Sequence, residues 1–285
     1  MYSDHQNNHE SIMWFGRSFL KRSFQDFWFR CRFFIMNWAS RRIGWTDDTS
    51  RKFGDVVRKA SRHRLALIYG NGPTLNILGE PCISKLETID GLRVGINRSF
   101  KKVRSDLLLW TDSELWPELK PHSIPCGTTV VRIARPFGHP PYIRWWSRHR
   151  RLDAWDRKGL FFLRNTLVSA LHLCYLSGIR RIVLFGVSLE SAAHFYSDPL
   201  PGESLPPYEH HDRQFIDRVF LGYDIQRCVR EVLEHLIEEG FDIRYVGESR
   251  FLGDLGLKGY PDFPALERDP EMVPFLKKES SNERT

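Results

Sequence analysis

Leu65-Ala-Leu-Ile-Tyr-Gly-Asn-Gly-Pro-Thr-Leu75 is the stretch whose reading decides how this chain folds. Its first five residues make a short, mostly apolar run of strand length. The run stops at Gly70-Asn71-Gly72, residues that permit positive φ and close backbone approach. Pro73 suits a first helical turn, where its missing N–H costs nothing. A strand, a glycine turn and a helix start together point free N–H groups and a positive dipole end at an anion, such as a nucleotide phosphate. The same pattern also makes plain βα connections, so the rest of the chain must decide.

Further strands are expected at 92–96, 107–111, 128–134, 179–185 and 241–246. Helices are expected at 46–64, 164–178 and 223–239, the last two ended by Gly178 and Gly240. The segment from Thr74 to Leu86 reads as a helix or loop broken by Gly79 and Pro81. Strands alternating with short helices predict the α/β class, with a single doubly wound, mostly parallel Rossmann-like sheet. Its expected bounds are a basic helical extension at 1–64, a nucleotide-binding domain at 65–258 and a poorly ordered, Pro- and charge-rich tail at 259–285. Two long loops interrupt the pattern. Residues 135–158, with Trp145-Trp146 among arginines, suit a lid. Residues 187–222 are rich in polar, aromatic and His residues.

Five scattered cysteines form no CxxC pair, which predicts reduced thiols in a cytoplasmic protein and no zinc. The polar start carries no signal-peptide pattern, and no run approaches the ~20 apolar residues of a membrane span. The net charge of +7 is unevenly placed. Residues 1–64 hold 13 Lys/Arg against 6 Asp/Glu, whereas 65–285 hold 29 of each. Within 12–45, Phe24, Phe27, Trp28, Cys31, Phe34 and Trp38 share one helical face, interrupted by Arg17, Lys21, Arg22, Arg30, Arg32, Arg41 and Arg42. This composition suits a helix in the membrane interface, peripheral to the inner face of the cytoplasmic membrane. The alternative is a helix packed on the domain or on a second copy in a homo-oligomer. Nucleic acid is not the expected partner, although basic and aromatic residues also suit single strands.

In an open parallel sheet, ligands sit at the carboxyl ends of the strands. The residues there are Gly70, Asn71, Gly72, Pro73, Thr74, Asn97, Asp112, Gly186 and Ser188. Asp112 and Glu114 would hold a Mg²⁺ ion through phosphates if one takes part, but no metal or other cofactor is an expected requirement. His194, His210 and His211 lie on the loop after Gly186, and a His near neutral pKa suits a general base. Walker A, HExxH, GxSxG and kinase signatures are absent, and Leu75 occupies the third glycine position of a dinucleotide fingerprint.

Gly70-Asn-Gly-Pro-Thr-Leu75, Asn97 after a strand, Arg164-Asn-Thr166 before an apolar helix, and Gly178-Ile-Arg-Arg-Ile-Val-Leu-Phe-Gly186 occur here in order. Over about residues 65–250 this resembles the bacterial lipooligosaccharide sialyltransferases. It also resembles the related motility accessory factor / hydroxymethylpterin pyrophosphokinase-like superfamily. The resemblance implies a glycosyltransferase that takes a sialic-acid-like sugar from a CMP-sugar to a hydroxyl of a surface glycan or lipid-linked acceptor, without an obligatory metal. It implies that Gly70, Asn71, Gly72 and Asn97 surround the donor phosphate and ribose. Arg164, Asn165 and Thr166 would lie near sugar and cytidine, with residues 186–198, including Glu190, His194 and Tyr196, near base and donor. His210 or His211 would be the base, although the family's His stands about ten positions closer to the last long helix. Ser188 replaces the family's acid, with Glu190 two residues on. The alternatives are an ATP/Mg²⁺ pyrophosphokinase-like phosphotransferase and a non-catalytic nucleotide-binding membrane adaptor.

Overall fold

The computed structural model describes residues 47–110, 124–132, 143–144, 160–161, 165–189 and 225–276. Helix α1 (Asp47–Ala60) leads into β1 (Leu65–Tyr69). A five-residue 3-10 turn (Pro73–Ile77) and α2 (Glu80–Thr88) carry the chain to β2 (Leu92–Ile96). After a second 3-10 turn (Asn97–Lys101) come β3 (Leu107–Trp110) and β4 (Thr129–Arg132). The short β5 (Ile143–Arg144) and β6 (Leu160–Phe161) precede α3 (Thr166–Ser177) and β7 (Arg181–Phe185). Then follow α4 (Ile225–Glu238), β8 (Asp242–Val246) and α5 (Arg250–Gly253). Strand β9 (Lys258–Tyr260), α6 (Phe263–Glu267) and α7 (Val273–Leu276) complete the described chain.

Seven strands form one sheet in the order β4-β3-β2-β1-β7-β8-β9, and every pairing in it is parallel. This is the doubly wound Rossmann-like α/β architecture that the alternation of strands and helices predicts. β1 lies in the middle, and all five of its residues are buried, as a parallel strand covered on both faces requires. Its side chains alternate between two core layers. Ala66 and Ile68 join α1, α3 and α4 on one face, while Leu65, Leu67 and Tyr69 join Leu86, Phe263 and Leu266 on the other. β7 repeats the division, with Ile182 and Leu184 on the first face and Val183 and Phe185 on the second.

Local signals set the ends of α3. Asn165 Oδ1 accepts the Leu167 N–H at 2.8 Å, and Gly178 closes the helix at φ 72°. The segment from Thr74 to Leu86 is broken at Gly79 as read: the 3-10 turn ends at Ile77, Gly79 is the N-cap of α2, and Pro81 sits in its first turn. Elsewhere the structure corrects the sequence reading. The loop-like stretch at 135–144 contributes Ile143 and Arg144 to a two-stranded parallel sheet with Leu160 and Phe161. The rest of the expected lid lies outside the described residues.

Both domain bounds also move. Phe53 and Ala60 of α1 are buried in the first core layer, so the packed unit begins before residue 65. The expected tail is, through Leu276, an ordered part of the domain. β9 extends the sheet, and Phe263, Leu266 and Met272 are fully buried. Asp269 is buried against an arginine, and the exposed Glu271 and Lys258 reach the same network. Arg244 on β8 donates to Asp242 at 2.7 Å, Asp269 at 2.6 Å, Glu271 at 2.6 Å and the Tyr260 hydroxyl at 2.7 Å. Lys258 closes the network with contacts of 2.8 Å to Asp269 and 3.3 Å to Glu271. Among the described residues, no helix is long and apolar enough to cross a membrane.

Candidate functional site

Strands β2 and β7 flank β1, and from β1 the chain winds outward in both directions. The carboxyl ends of β1 and β7 therefore form the topological switch point, where such sheets open a crevice for ligands. Tyr69 pairs with Phe185 on one side and Gly95 on the other. Gly70-Asn71-Gly72, Asn97 and Gly186-Val187-Ser188 consequently emerge side by side.

The glycines there do a different job from the one the sequence suggests. Gly70 N–H donates to Phe185 O at 2.7 Å, and Gly72 N–H donates to Gly186 O at 2.7 Å. Leu75 N–H turns back to Gly72 O at 3.0 Å. These N–H groups lock the β1 turn onto the β7 turn and are not free for a phosphate. Pro73 starts a 3-10 turn of five residues, too short to carry the dipole expected of an α-helix. A methyl at Gly70 would stand 2.4 Å from Gly186 O, and one at Gly72 would stand 2.7 Å from it. Gly186 itself sits at φ 64°, a left-handed conformation that favours glycine.

Polar side chains line the crest that this contact builds. Asn71 Oδ1 and Thr74 Oγ1 are buried and have no hydrogen-bond partner among the described residues. Asn97 occupies the left-handed region at φ 48°, which asparagine tolerates better than most residues. Ser188 Oγ lies 3.5 Å from where a Cβ on Gly72 would stand, and the Ser188 carbonyl accepts the Ser249 hydroxyl at 3.1 Å. Gly247, at φ 98° after β8, approaches Thr74 so closely that an added methyl would meet its Cβ at 2.8 Å. The carboxyl ends of β1, β7 and β8 thus form one continuous ridge with Asn97 beside it.

Several expected site residues join this arrangement: Gly70, Asn71, Gly72, Pro73, Thr74, Asn97, Gly186 and Ser188. Asn165 and Thr166 stand at the same sheet edge, at the start of α3, where Asn165 Oδ1 serves as the helix cap and Thr166 is buried. Asp112, Arg164, Glu190, His194, Tyr196, His210 and His211 lie outside the described residues, as does the basic-aromatic segment at 12–45. Gly247 stands at the carboxyl end of β8, where strand-end reasoning puts a site residue, and Ser249 follows two positions on. Their contacts to Thr74 and Ser188 are tertiary, and no local signal announces them.

Titratable groups near the sheet are held away from neutral. Burial pushes the Tyr69 phenol up, so it stays protonated. Burial likewise pushes the Cys174 thiol up to about 12, which leaves it an inert core residue. His172, inside α3, is held by burial well below the usual histidine range and stays neutral at pH 7. Cys82, Cys126, Cys174 and Cys228 are free thiols, and no cluster of metal-ligating side chains occurs among the described residues.

No family model, curated protein or solved structure matches the chain. The fold and the ridge define its class: a doubly wound, all-parallel Rossmann-like α/β protein with a polar crest at the switch point.

Proposed function

We propose that the protein is a nucleotide-sugar glycosyltransferase that takes a sialic-acid-like sugar from a CMP-sugar donor. One observation carries this reading. At the switch point, Asn71 Oδ1 and Thr74 Oγ1 are buried with no hydrogen-bond partner among the described residues, beside a left-handed Asn97. Buried polar atoms are otherwise nearly always satisfied, and strained backbone collects at ligand sites. The order of motifs from Gly70 to Gly186 supports the same donor class through its resemblance to the sialyltransferases.

In this mechanism the donor nucleotide lies across the ridge, with Asn71, Thr74, Asn97 and Ser188 contacting it. Because the Gly70 and Gly72 N–H groups are already engaged, side chains supply most of this recognition. His210 or His211 takes the proton of an acceptor hydroxyl as its oxygen bonds to the anomeric carbon. The bond from that carbon to the CMP phosphate oxygen breaks, and CMP leaves with the electron pair. The stretch at 135–158 excludes water as a lid. Residues 12–45 hold the protein on the inner face of the cytoplasmic membrane.

The test is a thermal-shift screen against CMP, CDP, UDP, GDP and ATP, each with and without Mg²⁺. A ligand that binds only the native state raises the midpoint with occupancy. CMP or CDP is expected to raise it without metal, and Asn71→Ala to abolish the shift while leaving the unliganded midpoint unchanged or higher, because it removes an unsatisfied buried acceptor. A shift only with ATP and Mg²⁺ would replace this reading with a phosphotransferase. Nucleotide binding without transfer to any acceptor would replace it with an adaptor. His210→Ala or His211→Ala is expected to abolish transfer and spare CMP binding; full activity in both removes the base assignment.

A further inference from the structure

Where a strand leaves its sheet, the carbonyls that follow lose their ladder partners and commonly turn to water. After β7 they find partners inside the protein. Phe185 O accepts the Gly70 N–H and Gly186 O accepts the Gly72 N–H, both at 2.7 Å. Further on, Ser188 O accepts the Ser249 hydroxyl at 3.1 Å, and Leu189 O accepts from Gln226 Nε2 at 2.7 Å. The donors come from separate elements: the turn after β1, the residue that caps α5, and the first turn of α4. Gln226 reaches Leu189 across 37 positions of sequence, and Ser249 reaches Ser188 across 61.

The backbone they hold is an uncommon one. Gly186 stands at φ 64° and Leu189 at φ 60°. Glycine takes the left-handed region freely, whereas a bulky side chain there is an outlier. Leu189 keeps it with its side chain packed on the first core layer and its carbonyl tied to α4. Such conformations persist where the surroundings over-determine them, and they gather at ligand sites. Between the two left-handed residues lie Val187, which is buried, and Ser188. The Ser188 hydroxyl oxygen lies 3.5 Å from where a Cβ on Gly72 would stand, against the turn that carries Asn71.

We infer that Gln226 and Ser249 are positioning residues, which clamp the backbone on either side of the Ser188–Leu189 peptide and so hold the Ser188 hydroxyl at the crest. Contact of that hydroxyl with a CMP donor rests on the glycosyltransferase reading; the clamp does not. Ser249 has a second duty, because its oxygen accepts the Leu252 N–H at 3.2 Å as the N-cap of α5. Its one hydroxyl proton goes to Ser188, so cap and clamp use different parts of the group and can be separated. Aspartate caps a helix about as well as serine but has no proton to donate at neutral pH.

The full chain is titrated with CMP by calorimetry. Ser188→Ala, Gln226→Ala and Ser249→Asp are each expected to weaken binding about two- to tenfold, the worth of one hydrogen bond. Ser249→Thr, which keeps both proton and cap, is expected to bind like the wild type. A role exerted through Ser188 makes the losses non-additive. In a Ser188→Ala background, Gln226→Ala and Ser249→Asp are therefore expected to cost nothing more, and full further losses there overturn the positioning role. The clamp itself is read without ligand by ¹⁵N relaxation. Order parameters at Ser188 and Leu189 are expected at about 0.85 in the wild type and below about 0.6 when Gln226→Ala and Ser249→Asp are combined. Unchanged order parameters overturn the clamp. If CMP fails to bind the wild-type chain while the order parameters fall, the glycosyltransferase reading is removed and the clamp stands. If CMP binds the wild type and the clamp variants equally, the positioning role alone is removed.

Discussion

At Gly70 a methyl group would meet the Gly186 carbonyl oxygen at 2.4 Å, a distance that backbone cannot yield cheaply. Gly70→Ala is therefore expected to cost about 1–3 kcal/mol, as overpacking usually does. Gly54, inside α1, has nothing within 4 Å of an added methyl. Gly54→Ala is expected to stabilise by about 0.5–1 kcal/mol through helix propensity. Urea denaturation of both variants checks the pair; equal effects of the two would remove the packing explanation of the Gly70-Asn71-Gly72 turn. The composition of that turn was plain in the sequence, but its use was not. Glycine looks the same whether it frees N–H groups for a phosphate or lets two turns touch, and only the position of Gly186 distinguishes the cases.

Among the elements, β8, β9 and the segment through α7 depend on one buried arginine. Replacing Arg244 with Met removes the guanidinium from Asp242, Asp269 and Glu271 and leaves Lys258 as the cation in contact with the buried Asp269, and is expected to lower the urea midpoint. The same network sets an acid response. Hydrogen bonds from Lys258 and then Tyr260 hold the Asp269 carboxyl well below the usual range, and Arg244 with Lys258 lowers Glu271. A carboxylate with a depressed folded pKa contributes stability above its unfolded value, near 4, and loses it as pH falls toward the folded value. His172 acts at higher pH. Its folded pKa lies well below 6.5 through burial, so the unfolded state binds more protons below that pH and stability falls from there down. Thermal midpoints are thus expected to decline from about pH 6.5 and more steeply below about pH 4. His172→Leu should flatten the upper part and Asp269→Asn the lower part. Hydrogen exchange at low pH should open residues 258–276 before β1 and β7, and the reverse order would remove the network from this account.

For the whole molecule, the C-terminal segment completes the fold. A chain cut after Leu257 would lose β9, leaving the β8 edge open, and would uncover the layer in which Phe263 meets Phe185 with ring centroids 6.4 Å apart. Burial of Phe263, Leu266 and Met272 contributes about 1.5–3 kcal/mol each, a large share of the stability of an ordinary domain. The cut chain is expected to aggregate, while one ending at Leu276 should melt like the full chain. Size-exclusion chromatography and thermal melting decide this, and a monomeric cut chain with the full midpoint would return these residues to the status of a tail.

The sequence by itself determined the class of fold, because strand-length apolar runs, helix caps and glycine stops are local signals. β2 matches its expected limits, and the glycine after α3 ends that helix as read. It also placed the candidate site, since the residues after β1, β2 and β7 share one edge in any doubly wound sheet. The tertiary structure alone decided that the Gly70 and Gly72 N–H groups are spent on the β7 turn, and that Asn71 Oδ1 and Thr74 Oγ1 are buried beside it with no partner among the described residues. It alone turned a charge-rich C-terminal stretch into packed structure. Both outcomes depend on contacts between residues far apart in sequence, where composition and periodicity carry no information about which group meets which partner.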